Sequence, residues 1–107
     1  MRYPVVIVRF LNVSGMALWP FILVSDSKAL NDEVVLNHER IHLRQQAELL
    51  VIPFYVLYLL NYLCNLAIYR QHYKAYFNIV FEREAYQKET EMTYLSSRKW
   101  YSWAKFF

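Results

Sequence analysis

Two histidines four residues apart, His38 and His42, with Glu39 directly after the first, constrain this chain more than any other feature. Side chains four positions apart on one face lie within reach of each other on a helix and not on a strand, so Asn37-His38-Glu39-Arg40-Ile41-His42 must be helical if both imidazoles are to reach one metal ion. Zinc is the ion this spacing suits. Glu39 sits beside that face and can take a proton from a metal-held water without using a coordination position, which makes metal-assisted hydrolysis the chemistry spelled out. The plainer alternative is a helix with two surface histidines and a Glu39-Arg40 charged patch, yet the motif uses two of only three histidines in the chain.

A catalytic zinc needs a third protein ligand, which has to come from elsewhere in a short chain. At 107 residues there is room for one domain, 1–107, and no separate substrate module. The composition is 57% hydrophobic with a single glycine, Gly15, so it is neither disordered nor low in complexity. A net charge of +3, from lysines and arginines scattered without a dense run, argues against a nucleic-acid partner. Cys64 has no partner for an intrachain disulfide; lying in an apolar run, it reads as a small core residue in a reducing, cytoplasmic setting. The N-terminal apolar run is broken by Arg9 and no small-residue cleavage site follows, so no signal peptide is expected.

The order of elements predicts an α+β domain: an N-terminal β-hairpin or small sheet packed on three main helices. Val5 to Leu11 is apolar and rich in β-branched residues, Asn12 to Gly15 supplies a turn, and Met16 to Val24 reads as the returning strand, with Pro20 marking an edge. An open edge there can accept an extended peptide, or be shielded by the proline against aggregation. Asn31-Asp32-Glu33 caps the motif helix, in which Val34, Val35, Ile41 and Leu49 face the core while Arg40, Arg44 and Gln45 face solvent.

Residues 49–69 hold no charge, and 21 such residues are long enough to cross a bilayer. A stripe of Tyr55, Tyr58, Tyr62 and Tyr69, with Asn61 and Asn65, gives the stretch a hydrogen-bonding face, which favours a buried core helix over a membrane span. Pro53 should kink or break it, and Glu48, the last charge before it, suits a structural ion pair. A third helix is expected from about Ala75 to Leu95, with Ala75, Ile79, Tyr86 and Tyr94 inward and Lys88, Glu89 and Glu91 outward. The aromatic and basic tail from Arg98 to Phe107 suits a cap docked on the core, a partner contact or a membrane-surface anchor; the cap is the reading preferred.

The third ligand has few sources. The histidine-rich form of the motif places Gly and His soon after the second histidine, where this chain has Leu43-Arg44-Gln45-Gln46; His72 lies farther on, and Phe81-Glu82-Arg83-Glu84-Ala85-Tyr86 offers two glutamates. His38-Glu39-x-x-His42 followed forty residues later by Glu82-x-x-Ala85-Tyr86 resembles the gluzincin group of zinc metallopeptidases, with minigluzincins matching in size and BlaR-type sensor peptidases in setting the motif beside hydrophobic helices. A set of small bacterial proteins also shares the pair. The resemblance implies that His38, His42 and Glu82 hold zinc, with Glu84 in reserve, that Glu39 is the general base, and that a peptide or protein is the substrate. The family commonly has Asp or Asn where this chain has Tyr86, so Tyr86 is left to orient a ligand histidine or to stabilise an oxyanion. Two other readings stand beside the peptidase: a catalytically silent zinc-binding structural or interaction protein, and a membrane-associated protein with 49–69 as a span.

Overall fold

The structure, a computed structural model, describes residues 3–107. Three short strands, β1 (Val5–Ile7), β2 (Gly15–Leu18) and β3 (Phe21–Val24), form a sheet in the order β1-β3-β2. Six helices follow: α1 (Ser27–Leu30), α2 (Glu33–Leu49), α3 (Val51–Tyr69), α4 (His72–Phe77), α5 (Val80–Lys88) and α6 (Tyr94–Ser97), with a 3-10 turn over Ser102–Phe106. The expected α+β class is what the chain adopts.

Local chemistry sets the ends of these elements. The Asp26 carboxylate accepts from Ala29 N at 2.8 Å and Asp32 from Val34 N at 3.0 Å, satisfying amides that a helix start leaves without partners. Leu50, at φ 60°, separates α2 from α3, and Arg70, at φ 54°, closes α3 with its N–H on the Leu66 carbonyl. Ile22, Val24, Leu36 and Leu43 join the sheet to α2, while Phe54, Ile79, Val80 and Phe81 join α3 to α5.

The tail is tied down by charge. Arg98, with Glu48 and Glu84, is buried between α2 and α5: Nη1 and Nη2 donate to the two Glu48 oxygens at 2.6 and 3.0 Å, and Nε and Nη2 to the Glu84 oxygens at 2.5 and 3.0 Å. Glu48 is thus a structural ion pair, as expected, and Trp103 and Phe106 pack on the α3–α5 core as a cap.

Several expectations need correcting. Val5–Leu11 and Met16–Val24 do not form a hairpin: β1 lies parallel to β3, and the hairpin is β2–β3 around Trp19-Pro20, so Pro20 turns the chain instead of sitting in a strand. The α2–α3 break falls at Leu50. Pro53 lies in the first turn of α3, where a missing N–H costs no helical bond. The single helix expected over 75–95 is divided among α4, α5 and α6. Cys64 is exposed instead of buried. The largest correction concerns α3, which is no core helix: of its 19 residues only Phe54 and Asn65 are buried. Its tyrosines and asparagines do form a hydrogen-bonding face, with Tyr55 reaching Ala17 O, Asn61 Val80 N and Asn65 Ala75 O. That face is narrow, and the rest of the helix faces outward.

Replacing Arg98 by methionine leaves Glu48 and Glu84 buried without a cation and is expected to lower stability by about 3–5 kcal/mol in urea unfolding. Adding Glu48→Gln and Glu84→Gln to that variant should recover much of the loss; no recovery would mean that the cost lay in lost packing and not in uncompensated charge.

Candidate metal centre

The seam between α2 and α5 brings one carboxylate against both motif imidazoles. Glu82 Oε1 lies 3.2 Å from His38 Nε2 and 3.0 Å from His42 Nε2, and the two Nε2 atoms are 3.2 Å apart. All three residues are buried. Donors each about 2.0–2.1 Å from a tetrahedral ion stand about 3.3 Å from one another, so this triangle needs almost no adjustment to hold one. Among the described residues, His38, His42 and Glu82 are the group able to hold a metal ion.

The outer ring nitrogens confirm the fit. Gln45 donates through Nε2 to Phe81 O at 3.1 Å and Glu84 Oε1 at 2.9 Å, which fixes its amide and leaves Oε1 as an acceptor, 2.8 Å from His42 Nδ1. His38 Nδ1 faces Glu89 Oε2 at 2.9 Å, also an acceptor. Each Nδ1 therefore carries the hydrogen, and each Nε2 turns a lone pair toward the other and toward a carboxylate. That juxtaposition calls for a cation in the middle, a proton or a metal. Behind this ring stand further fixed groups: Tyr58 donates to Glu82 Oε2, and Glu84 ties Gln45 to Arg98.

Charge follows from these contacts. Burial penalises a charged His42, but Glu82 against it, with Glu39 nearby, carries its pKa up to about 9 in the ion-free protein. Burial likewise opposes an ionised Glu82, yet the charge of His42 beside it, with His38 and Tyr58 close against its oxygens, holds its carboxyl well below the usual range. Glu39 shifts the other way. Its burial outweighs the attraction of the two histidines and raises its pKa.

Glu39 borders a cavity of about 570 Å³ whose wall also includes Gly15, Met16, Phe54, Tyr58, Tyr76 and Tyr86. Gly15 is required there by space. A Cβ at this position would come within 2.9 Å of Val35 Cγ1 and 3.2 Å of Glu39 Cγ, so the close approach of β2 to the motif helix depends on its absence. The edge strand beside the helix is as expected, but Gln46 already binds Trp19 N and Ala17 O, leaving Gly15 as the β2 residue on the cavity wall whose backbone groups face away from β3, unbound among the described residues.

His38, Glu39, His42 and Glu82 are thus brought together. His72 is outside the cluster, paired with Tyr62, and Glu84 serves Arg98 and Gln45 instead of the site. Tyr86 stands edge-on to His38 with centroids 4.4 Å apart and its hydroxyl toward Tyr76; the orienting bond to His38 comes from Glu89. Gln45 and Glu89, expected on solvated faces, instead bind the two ligand histidines. Gln45 follows His42 by three positions and Glu89 follows Glu82 by seven, spacings that return each to the ligand's own helix face. No family model, curated protein or solved structure matches the chain.

His42's raised pKa favours the fold below its ordinary value of 6.5 and that contribution is lost as pH rises through about 9; Glu82's lowered pKa adds stability above 4.5 that is lost as pH falls. The two describe one ion pair. The ion-free protein should therefore be supported fully between pH 4.5 and 6.5 and lose on the order of 3 kcal/mol toward pH 9 in urea unfolding. A urea midpoint that stays flat from pH 6 to 9 after chelation would contradict the pairing.

Proposed function

We propose that the protein is a zinc-dependent hydrolase of peptide bonds, of the kind the gluzincin resemblance implies. The observation that carries this reading is the convergence of His38 Nε2, His42 Nε2 and Glu82 Oε1 on one point at the edge of a cavity that Glu39 also borders. Two neutral imidazoles and one carboxylate form a donor set suited to zinc, which when bound supplies Lewis acidity for polarising a carbonyl and acidifying water.

The chain's own residues do the rest. Glu39 is the general base: it adjoins the ligand face without belonging to the triangle and lines the cavity, where it can take a proton from water and pass it to a departing amine. Gln45 and Glu89 hold the histidines in the binding tautomer. Tyr76 and Tyr86, with hydroxyls 3.4 Å apart on the cavity wall, are placed to donate to an oxyanion as it forms, which extends the role expected for Tyr86. Gly15, at the free part of the edge strand, offers its backbone N–H and C=O to an extended peptide.

Protein purified without added metal should carry near-stoichiometric zinc by elemental analysis, and His42→Ala should abolish it. Glu39→Gln should keep the zinc while lowering turnover of a quenched-fluorescent peptide library by about 10²–10⁴-fold. Zinc retained in His42→Ala would overturn the ligand assignment. Equal turnover in Glu39→Gln would remove Glu39 as the base, and no turnover in the zinc-loaded wild type would leave the silent zinc-binding reading.

A further inference from the structure

We infer that the outer face of α3 docks on an anionic lipid bilayer, with the helix lying along the membrane surface. The starting observation is the exposure of that helix. Ile52, Val56, Leu59, Leu60, Leu63 and Ile68 all face outward, Ile52 at 76% and Ile68 at 71% exposure. At about 100° per residue, these exposed apolar positions cover roughly 180° of the helix circumference. Every polar side chain of the inner face that has been described turns back into the protein, Tyr58 to Glu82, Asn61 to Val80 N and Asn65 to Ala75 O. What remains outside is a continuous apolar band far wider than a soluble helix presents.

The ends of the band identify what covers it. Beyond its C-terminal end lie Tyr69, Arg70, Tyr73 and Lys74, all exposed. At its N-terminal end, Tyr101 N donates to Glu48, which fixes the exposed Lys99, Trp100 and Tyr101 beside the start of the helix. Tyr at both ends of the apolar stretch, with Trp100 at one of them and cations at each, matches the headgroup region of a bilayer. A second copy of the chain fits this pattern poorly. Antiparallel pairing through α3 sets Arg70 and Lys74 against the partner's cationic Lys99 end, and parallel pairing sets like ends together.

Orientation follows from the sheet. β1 and β2 are its two outer strands, and Tyr55 and Tyr58 tie β2 and Glu82 to the inner side of α3. A helix crossing the bilayer would carry open strand edges and the carboxylate site toward hydrocarbon, where unpaired backbone groups are costly. Lying flat, α3 sinks only its apolar arc, and the cavity stays at the aqueous side with Tyr55 shared between the two.

The test is flotation of the full chain with phosphatidylcholine vesicles, with and without phosphatidylglycerol. Binding is expected to be about tenfold stronger with the anionic lipid. Leu59→Ser with Leu63→Ser should release the protein at an unchanged circular dichroism spectrum, and Arg70→Ser with Lys74→Ser and Lys99→Ser should erase the preference for anionic lipid while leaving the fold alone. A fluorophore on Cys64, the exposed native thiol of α3, reads depth by quenching: a shallow position supports flat docking, and a mid-bilayer position overturns it in favour of a span. Absence of binding to either vesicle overturns the inference, as does a stable dimer that the leucine substitutions break. His42→Ala should bind vesicles like the wild type, so failure here is separate from failure of the hydrolase reading.

Discussion

Neutralising buried acid is the problem around which this small domain is built. Glu39, Glu48, Glu82 and Glu84 are all buried along α2 and α5, and an isolated carboxylate away from water is too costly to persist. Two solutions lie side by side. Arg98 answers Glu48 and Glu84 from the tail, a closed triad that serves the fold. The imidazoles answer Glu82, and because they can exchange a proton for a metal, that solution is open to chemistry. Glu39 is left without such a partner, which is why its carboxyl is pushed toward the protonated form.

The two clusters are joined through Gln45. Its amide accepts from His42 on one side and donates to Glu84 on the other, so the position of a proposed ligand depends on a guanidinium contributed by residue 98. The docked tail and the candidate metal centre are therefore one structural unit. This explains how a chain of 107 residues holds a three-ligand geometry without a large core behind it: charged hydrogen bonds supply rigidity that packing supplies in larger proteins.

Periodicity made much of this visible beforehand. His38 and His42, four apart, had to share a helix face, and Asp32 marked where that helix starts; both hold. Glu82 as the partner acid came from the resemblance, and the geometry brings it to the two imidazoles. What stayed hidden depended on contacts between elements. Spacing puts Gln45 and Glu89 on the ligands' own helix faces, but which of them bonds which ring nitrogen emerges only when α5 is laid on α2. Strand order was hidden for the same reason, since β1 pairs with β3 only after the β2–β3 hairpin has turned at Trp19-Pro20. For α3, the apolar run was read correctly as a helix but wrongly as core, because hydrophobicity records that a surface avoids water and not what covers it.

X-ray absorption at the zinc edge of the loaded protein tests the central claim most directly. The account requires a first shell of nitrogen and oxygen at about 2.0–2.1 Å with outer-shell scattering from two imidazole rings. A sulfur shell near 2.3 Å, or scattering from no more than one imidazole, would place the ion elsewhere and dissolve the site at the α2–α5 seam.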